Sequence, residues 1–130
     1  MPNVVFFSFT EADRETVLTI KGRAVNPNYH NLKFRVKDLL KRWNTDDISV
    51  IRQAISKAMT GTSRTIVFVG EKTHKSRWVR EEVLMTIENK KPVYAIRLKG
   101  TKGIKPKVLE DNYISLFAWS EEKLQDLATC

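Results

Sequence analysis

Glu82 occupies the position that most invites chemistry. It lies in the run Arg77-Trp78-Val79-Arg80-Glu81-Glu82-Val83, where residues four apart share one flank of a helix. With about 100° of rotation per residue, Glu82 falls between Trp78 and the apolar line of Val79 and Val83, so it points partly inward. Glu81 turns away from that direction and is expected to be a solvated charge. Periodicity alone fits either a functional carboxylate at Glu82 or a surface glutamate paired with Arg77 or Lys90.

The other reactive side chains narrow the chemistry. His30 and His74 stand alone, without a second ligand at metal spacing, so no metal site is expected. Cys130 is the only cysteine, which excludes a disulfide framework and suits a reducing compartment. A net charge of +8 favours anionic partners such as nucleotides, nucleic acid or other proteins. The excess gathers at Lys33, Arg35, Lys37, Lys41 and Arg42, and again at Lys99, Lys102, Lys105 and Lys107, while Glu121, Glu122 and Asp126 form an acidic stretch. A simply solvated basic surface fits as well. The basic stretches carry no interleaved exposed aromatics and no zinc, helix-turn-helix or RNP signature, so nucleic-acid binding is not expected.

Strand-like and helix-like segments alternate along the 130 residues, with no repeat or linker, which predicts one domain over 1–130. Val4 to Phe9 reads as a buried strand, and Thr10 to Asp13 resembles a capping box opening a helix with Val17, Ile20 and Ala24 on its core side. Leu32, Phe34 and Val36 alternate with Lys33 and Arg35, predicting a strand with one wet face. Lys37 to Asn44 is a basic loop or short helix. A helix begins near Asp47 with Ile48, Ile51, Ile55 and Ala58 inward, and Thr65 to Val69 is a second buried strand. Ser76 can cap a helix running to about Asn89 over a core side of Val79, Val83 and Ile87. Pro92 to Leu98 is a strand, 99–107 a long basic loop, Tyr113 to Phe117 the last strand, and Ser120 the cap of a final helix.

This alternation implies an α/β fold with a mostly parallel sheet covered on both faces. The apolar strands belong in its centre and the alternating one at an edge, giving a five-stranded flavodoxin-like order, 2-1-3-4-5. Ligands of such sheets bind beyond the carboxyl ends of the strands, at the switch point between the first and third. That rim carries Ser8, Phe9 and Thr10, together with 70–76.

The order of segments resembles a TIR domain over most of the chain. Phe6-Phe7-Ser8-Phe9-Thr10 and then Asp13 stand where such domains open with Phe-Ile-Ser-Tyr-Ser and an aspartate. Ile48, Ile51, Ala54 and Ile55 are similar to the helix before the third strand. Gly70, Thr73, Ser76, Trp78, Val79 and Glu82 keep the spacing of Ser-x-x-Tyr-x-x-Ser-x-Trp-Cys-x-x-Glu, although Gly70 and Thr73 replace the usual Ser and Tyr. The segment 37–47 lacks the Pro and Gly that many TIR domains carry there. In pattern the chain most resembles the TIR-like subunit of the bacterial Thoeris anti-phage system.

The resemblance implies cleavage of the nicotinamide–ribose bond of NAD⁺, with NAD⁺ as substrate and no further cofactor. Glu82 would be the catalytic carboxylate. It would stabilise an oxocarbenium-like ribose while nicotinamide leaves as a neutral amide. Around it, Phe7 or Phe9 would offer a ring face or pack in the core, and Trp78 would buttress Glu82 or simply pack. Ser8 and Thr10 would donate to ribose or diphosphate, or cap the first helix; Lys37 and Lys41 would reach phosphates or stay solvated. The product would be ADP-ribose or, by the Thoeris resemblance, a cyclised ADP-ribose signal for a separate effector. Self-association through TIR contacts and a phage-derived activator are implied as partners.

A non-catalytic TIR-like adaptor acting by homotypic contacts has the same fold but does not require Glu82. A nucleoside N-glycosidase or deoxyribosyltransferase shares the sheet topology and glutamate chemistry. A response-regulator receiver needs an aspartate ending the third strand, where this chain has Val69-Gly70. Neither a signal peptide nor a membrane span is expected, because the first apolar run is only Val4 to Phe7 and a span needs about twenty apolar residues. The expected compartment is cytoplasmic.

Overall fold

The computed structural model describes residues 4–39 and 45–130. Five strands, β1 (Val4–Ser8), β2 (Arg35–Asp38), β3 (Arg64–Val69), β4 (Val93–Arg97) and β5 (Leu116–Phe117), form a single sheet. Its order is β2-β1-β3-β4-β5, and every pairing is parallel. The helices are α1 (Arg14–Val25), α2 (Ile48–Met59), α3 (Arg77–Glu88), α4 (Lys107–Asp111) and α5 (Glu121–Thr129). The expected α/β architecture and strand order are both present.

Strand alternation splits the core into two layers. Val5, Phe7, Ile66, Phe68 and Ile96 face Val17 and Ile20 of α1 and Leu124 and Leu127 of α5. On the opposite face, Phe6 packs with Ile51 and Ile55 of α2, and Val67, Val69 and Ala95 pack with Val79 and Val83 of α3 and Leu109 of α4. The central strand β3 is buried at all six positions, as a parallel strand covered on both faces must be. Arg64 tolerates this burial because its Nη1 donates to the Leu127 carbonyl at 3.1 Å and to Cys130 Sγ at 3.2 Å.

Capping side chains fix where three helices start. Asp47 accepts from Ser49 N at 2.9 Å, Ser76 from Val79 N at 3.2 Å, and Ser120 from Lys123 N at 3.2 Å. The capping box expected at Thr10 does not form. Thr10 Oγ1 instead donates to Asp13 Oδ2 at 3.0 Å, and a 3₁₀ turn over Glu11–Asp13 precedes α1.

Several boundaries and faces differ from the sequence expectation. Leu32 and Phe34 are buried as their alternation predicts, but the paired strand runs later, over Arg35–Asp38. The last strand shrinks to Leu116–Phe117, since Tyr113 sits in the left-handed region at φ 58° and is 95 % exposed. The segment before it forms the unforeseen helix α4. Ile48 and Ile87, expected inward, are both exposed, and Thr86 is buried beside Val83. The basic stretch 40–44 of the expected loop lies outside the described residues.

Candidate functional site

Ser8 ends β1 on the sheet face covered by α2 and α3, because it shares the alternation of Phe6. Glu82 lies midway along α3, which descends over that face. The two meet where Ser8 Oγ donates to Glu82 Oε1 at 2.7 Å. Both residues are 0 % exposed. Glu82 is therefore no surface glutamate; its carboxylate is directed to the sheet at the junction of β1 and β3.

Two further contacts hold α3 at this height. Thr86 Oγ1 donates to the Glu82 carbonyl at 2.7 Å and meets Thr65 Oγ1 of β3 at 2.6 Å. With its own proton committed to the carbonyl, Thr86 must accept from Thr65, which orients the pair. Trp78 packs against the Phe6, Ile51, Ile55 and Met59 cluster and so wedges α3 against α2.

Glu81 departs from expectation. It is 2 % exposed, and its carboxylate accepts from Arg52 Nε at 2.7 Å and from Arg80 Nη1 at 2.8 Å. The direction that periodicity assigns to solvent is filled by α2. Arg52 also grips Glu88 with both terminal nitrogens, at 2.7 and 2.9 Å. Hydrogen bonds donated to Glu88 and then Glu81 push the Arg52 guanidinium further above its usual pKa, and the same contact holds Glu88 below the usual carboxylate value.

Asp13, Gly70 and Gly103 crowd together at the rim. A Cβ on Gly70 would lie 2.3 Å from Asp13 Oδ2, and one on Gly103 only 1.9 Å from the Gly70 carbonyl oxygen. Only glycine fits at Gly103, where the neighbour is backbone, whereas a Cβ at Gly70 would displace the Asp13 carboxylate. Thr73 Oγ1 accepts from the Gly70 amide at 2.8 Å, so the two residues that replace the TIR-like Ser and Tyr bond to one another and shape the turn. Burial raises the Asp13 pKa; the Thr10 hydroxyl opposes that shift and the nearby Glu71 charge adds to it.

The structure brings Ser8, Trp78 and Glu82 to one side of the sheet and separates the other candidates from them. Phe7 and Phe9 belong to the opposite layer, with the Phe7 ring edge-on to Phe68 at 4.6 Å and to Phe34 at 5.9 Å. Thr10 stays at the rim on Asp13. Lys37 Nζ donates to the Thr60 carbonyl at the C-terminus of α2, which lies at the far end of the sheet from Ser8. Lys41 lies outside the described residues.

Among the described residues, no three His, Cys, Asp or Glu side chains gather closely enough to hold a metal ion. Nor is any described helix long and apolar enough to cross a membrane. Arg52 escaped the sequence reading, although a basic residue flanking the stripe of Ile51 and Ile55 was a usable signal. The Asp13–Gly70–Gly103 packing left none, because it joins three separate loops.

Sheet order and all-parallel register define the class as a five-stranded, flavodoxin-like α/β fold. The chain is similar to the crystal structure of the TIR domain of the Toll-related receptor TRR-2 from the lower metazoan Hydra magnipapillata. That match has a TM-score of 0.57 and 16 % identity, and covers 95 % of this chain and 89 % of the other; it is a likeness of fold. More narrowly, the family model described as Thoeris protein ThsB, TIR-like domain, matches residues 6–103, and the chain belongs to that family. A comparison with curated proteins finds no match.

Proposed function

We propose that this TIR-like domain cleaves the nicotinamide–ribose bond of NAD⁺ and acts in anti-phage defence, with Glu82 as the catalytic carboxylate. One observation carries the reading: Glu82 is wholly buried at the switch point of the sheet, with a hydroxyl of β1 donating to its carboxylate at 2.7 Å. A carboxylate held out of water interacts strongly with positive charge developing beside it. In the reaction, the ribose C1′–N bond breaks and both electrons pass to the pyridinium nitrogen, so neutral nicotinamide departs without a general acid. Glu82 stabilises the ribosyl cation and its hydroxyls. Ser8 orients the carboxylate, and Trp78 supports the helix that carries it. Water then captures the cation and releases a proton, giving ADP-ribose. Capture by a nucleophile of the same molecule gives a cyclised ADP-ribose, the product favoured by membership of the Thoeris family and destined for a separate effector.

Because Glu82 is fully covered in the single chain, substrate entry requires the site to open or to be rebuilt against a second copy. Self-association, with or without a phage-derived activator, is the natural trigger. The same burial also suits a non-catalytic adaptor, in which the Ser8–Glu82 bond only braces α3. Incubating concentrated protein with NAD⁺ and resolving products by chromatography and mass spectrometry separates the two. Nicotinamide together with a linear or cyclised ADP-ribose supports the enzyme. Self-association with intact NAD⁺ under crowding and infected-lysate conditions supports the adaptor.

A further inference from the structure

A cavity of about 520 Å³ opens between the start of α3, the turn over Thr73–Lys75 and helix α4. Neither Glu82 nor Ser8 lines it. Its walls combine two chemistries. Ile48 and Leu84 supply apolar surface over the buried Val79 and Val108, whereas Lys75, Arg77, Arg80 and Lys107 supply cations. Among the described residues, the one carboxylate in the lining, Asp111, is already held by Lys107 Nζ at 2.8 and 2.9 Å.

Several of these polar groups remain available. The Lys75 ammonium makes no hydrogen bond or ion pair among the described residues, and the Arg77 guanidinium meets only Asp46 there, through its carbonyl at 3.2 Å and its exposed carboxylate at 3.8 Å. Arg80 spends one nitrogen on Glu81. His74 Nδ1 is buried and finds no partner among the described residues, a costly arrangement in the wall of the cavity. Exposed cations around apolar surface, in a space within the roughly 300–1,000 Å³ of small-molecule sites, match a compact anion attached to a flat apolar body.

We infer that this cavity is a second ligand site, separate from Glu82, that takes a phosphate-bearing small molecule of the nucleotide class. The phosphates lie between Lys75 and Arg77, and the base or sugar covers Ile48 and Leu84. The ligand would thereby contact the first turns of α3, the helix that carries Glu82. The inference is independent of NAD⁺ cleavage.

Titration of ¹⁵N-labelled full chain with ADP, adenosine and inorganic phosphate tests it by backbone amide shifts. ADP should shift the amides of 73–80 and 107–112 saturably, with adenosine and phosphate each binding far more weakly. The double variant Lys75→Ala/Arg77→Ala, with an unchanged circular dichroism spectrum, should weaken ADP by about tenfold or more, the scale of one charge-assisted contact. The inference is overturned if no shifts appear at millimolar ADP, if they centre on Ser8 and Glu82, or if the double variant binds equally well. Adenosine or phosphate alone matching ADP would overturn the ligand class.

Discussion

Ser8 and Glu82 stand 74 positions apart in the chain, yet the hydroxyl of one lies 2.7 Å from the carboxylate of the other, with both residues fully buried. The contact joins the end of β1 to the middle of α3. Replacing Ser8 by Ala removes a donor from a buried carboxylate, a change that costs about 1–3 kcal/mol. Ser8→Ala should therefore unfold at a lower denaturant concentration with an unaltered slope, and should lose NAD⁺ turnover through kcat more than KM. Wild-type stability and turnover in Ser8→Ala would remove the contact from the account.

Arg52 should matter to stability although it touches no proposed substrate atom. Its loss leaves the buried Glu81 with Arg80 alone and frees Glu88. The Arg52 side chain is 33 % exposed, so the penalty of Arg52→Met is placed at about 1–3 kcal/mol, below that of breaking a fully buried pair. Glu88 is held below its usual value of 4.5, so the part of the stabilisation due to Glu88 is present above that pH and fades as acid protonates it. Denaturation of both proteins at pH 7 and near pH 3 should show the gap narrowing in acid.

Asp13 should behave in the opposite sense. Its folded-state pKa is raised above 3.8, chiefly by burial, so the native chain binds more protons than the unfolded one just above that pH. Stability therefore falls as pH rises through this window. Asp13→Asn keeps an acceptor for Thr10 and removes the buried charge. Its melting temperature should match or exceed wild type at pH 7 and lose that advantage as pH approaches 3.8; a lower value at pH 7 would contradict the assignment.

Two glycines should respond with opposite signs. A Cβ at Gly103 would strike backbone 1.9 Å away, whereas one at Gly22, inside α1, meets nothing within 4 Å. Gly22→Ala should gain about 0.5–1 kcal/mol from helix propensity. Gly103→Ala should lose several times that or fail to fold, because the Gly70 carbonyl cannot step aside cheaply. Thermal melts of the two proteins provide the check.

The sequence was most legible where period and burial agree. Val4 to Phe7 and Thr65 to Val69 are continuous apolar runs that can only be central strands, and their order with Leu32–Val36 yields 2-1-3-4-5. Glu82 was legible as partly inward for the same reason. Tertiary context decided the rest. Glu81 faces what would be solvent on an isolated helix, and only the approach of α2 with Arg52 turns that side into an interface. Ser8 and Phe9 are neighbours in sequence but lie on opposite faces of the sheet, so shared proximity to the rim did not make them partners. The last strand eluded the apolar pattern because Tyr113 takes a left-handed turn that composition does not announce.

The most direct test is the rate of nicotinamide release from NAD⁺ by wild type and Glu82→Gln, measured over a range of protein concentrations, with circular dichroism confirming that both are folded. Glutamine keeps the shape and an acceptor for Ser8 but removes the charge. Turnover should rise faster than linearly with wild-type concentration and fall at least about a hundredfold in the variant, the scale of losing one electrostatic catalytic group. Equal release by the two folded proteins would contradict the central claim that the buried carboxylate of Glu82 carries the chemistry.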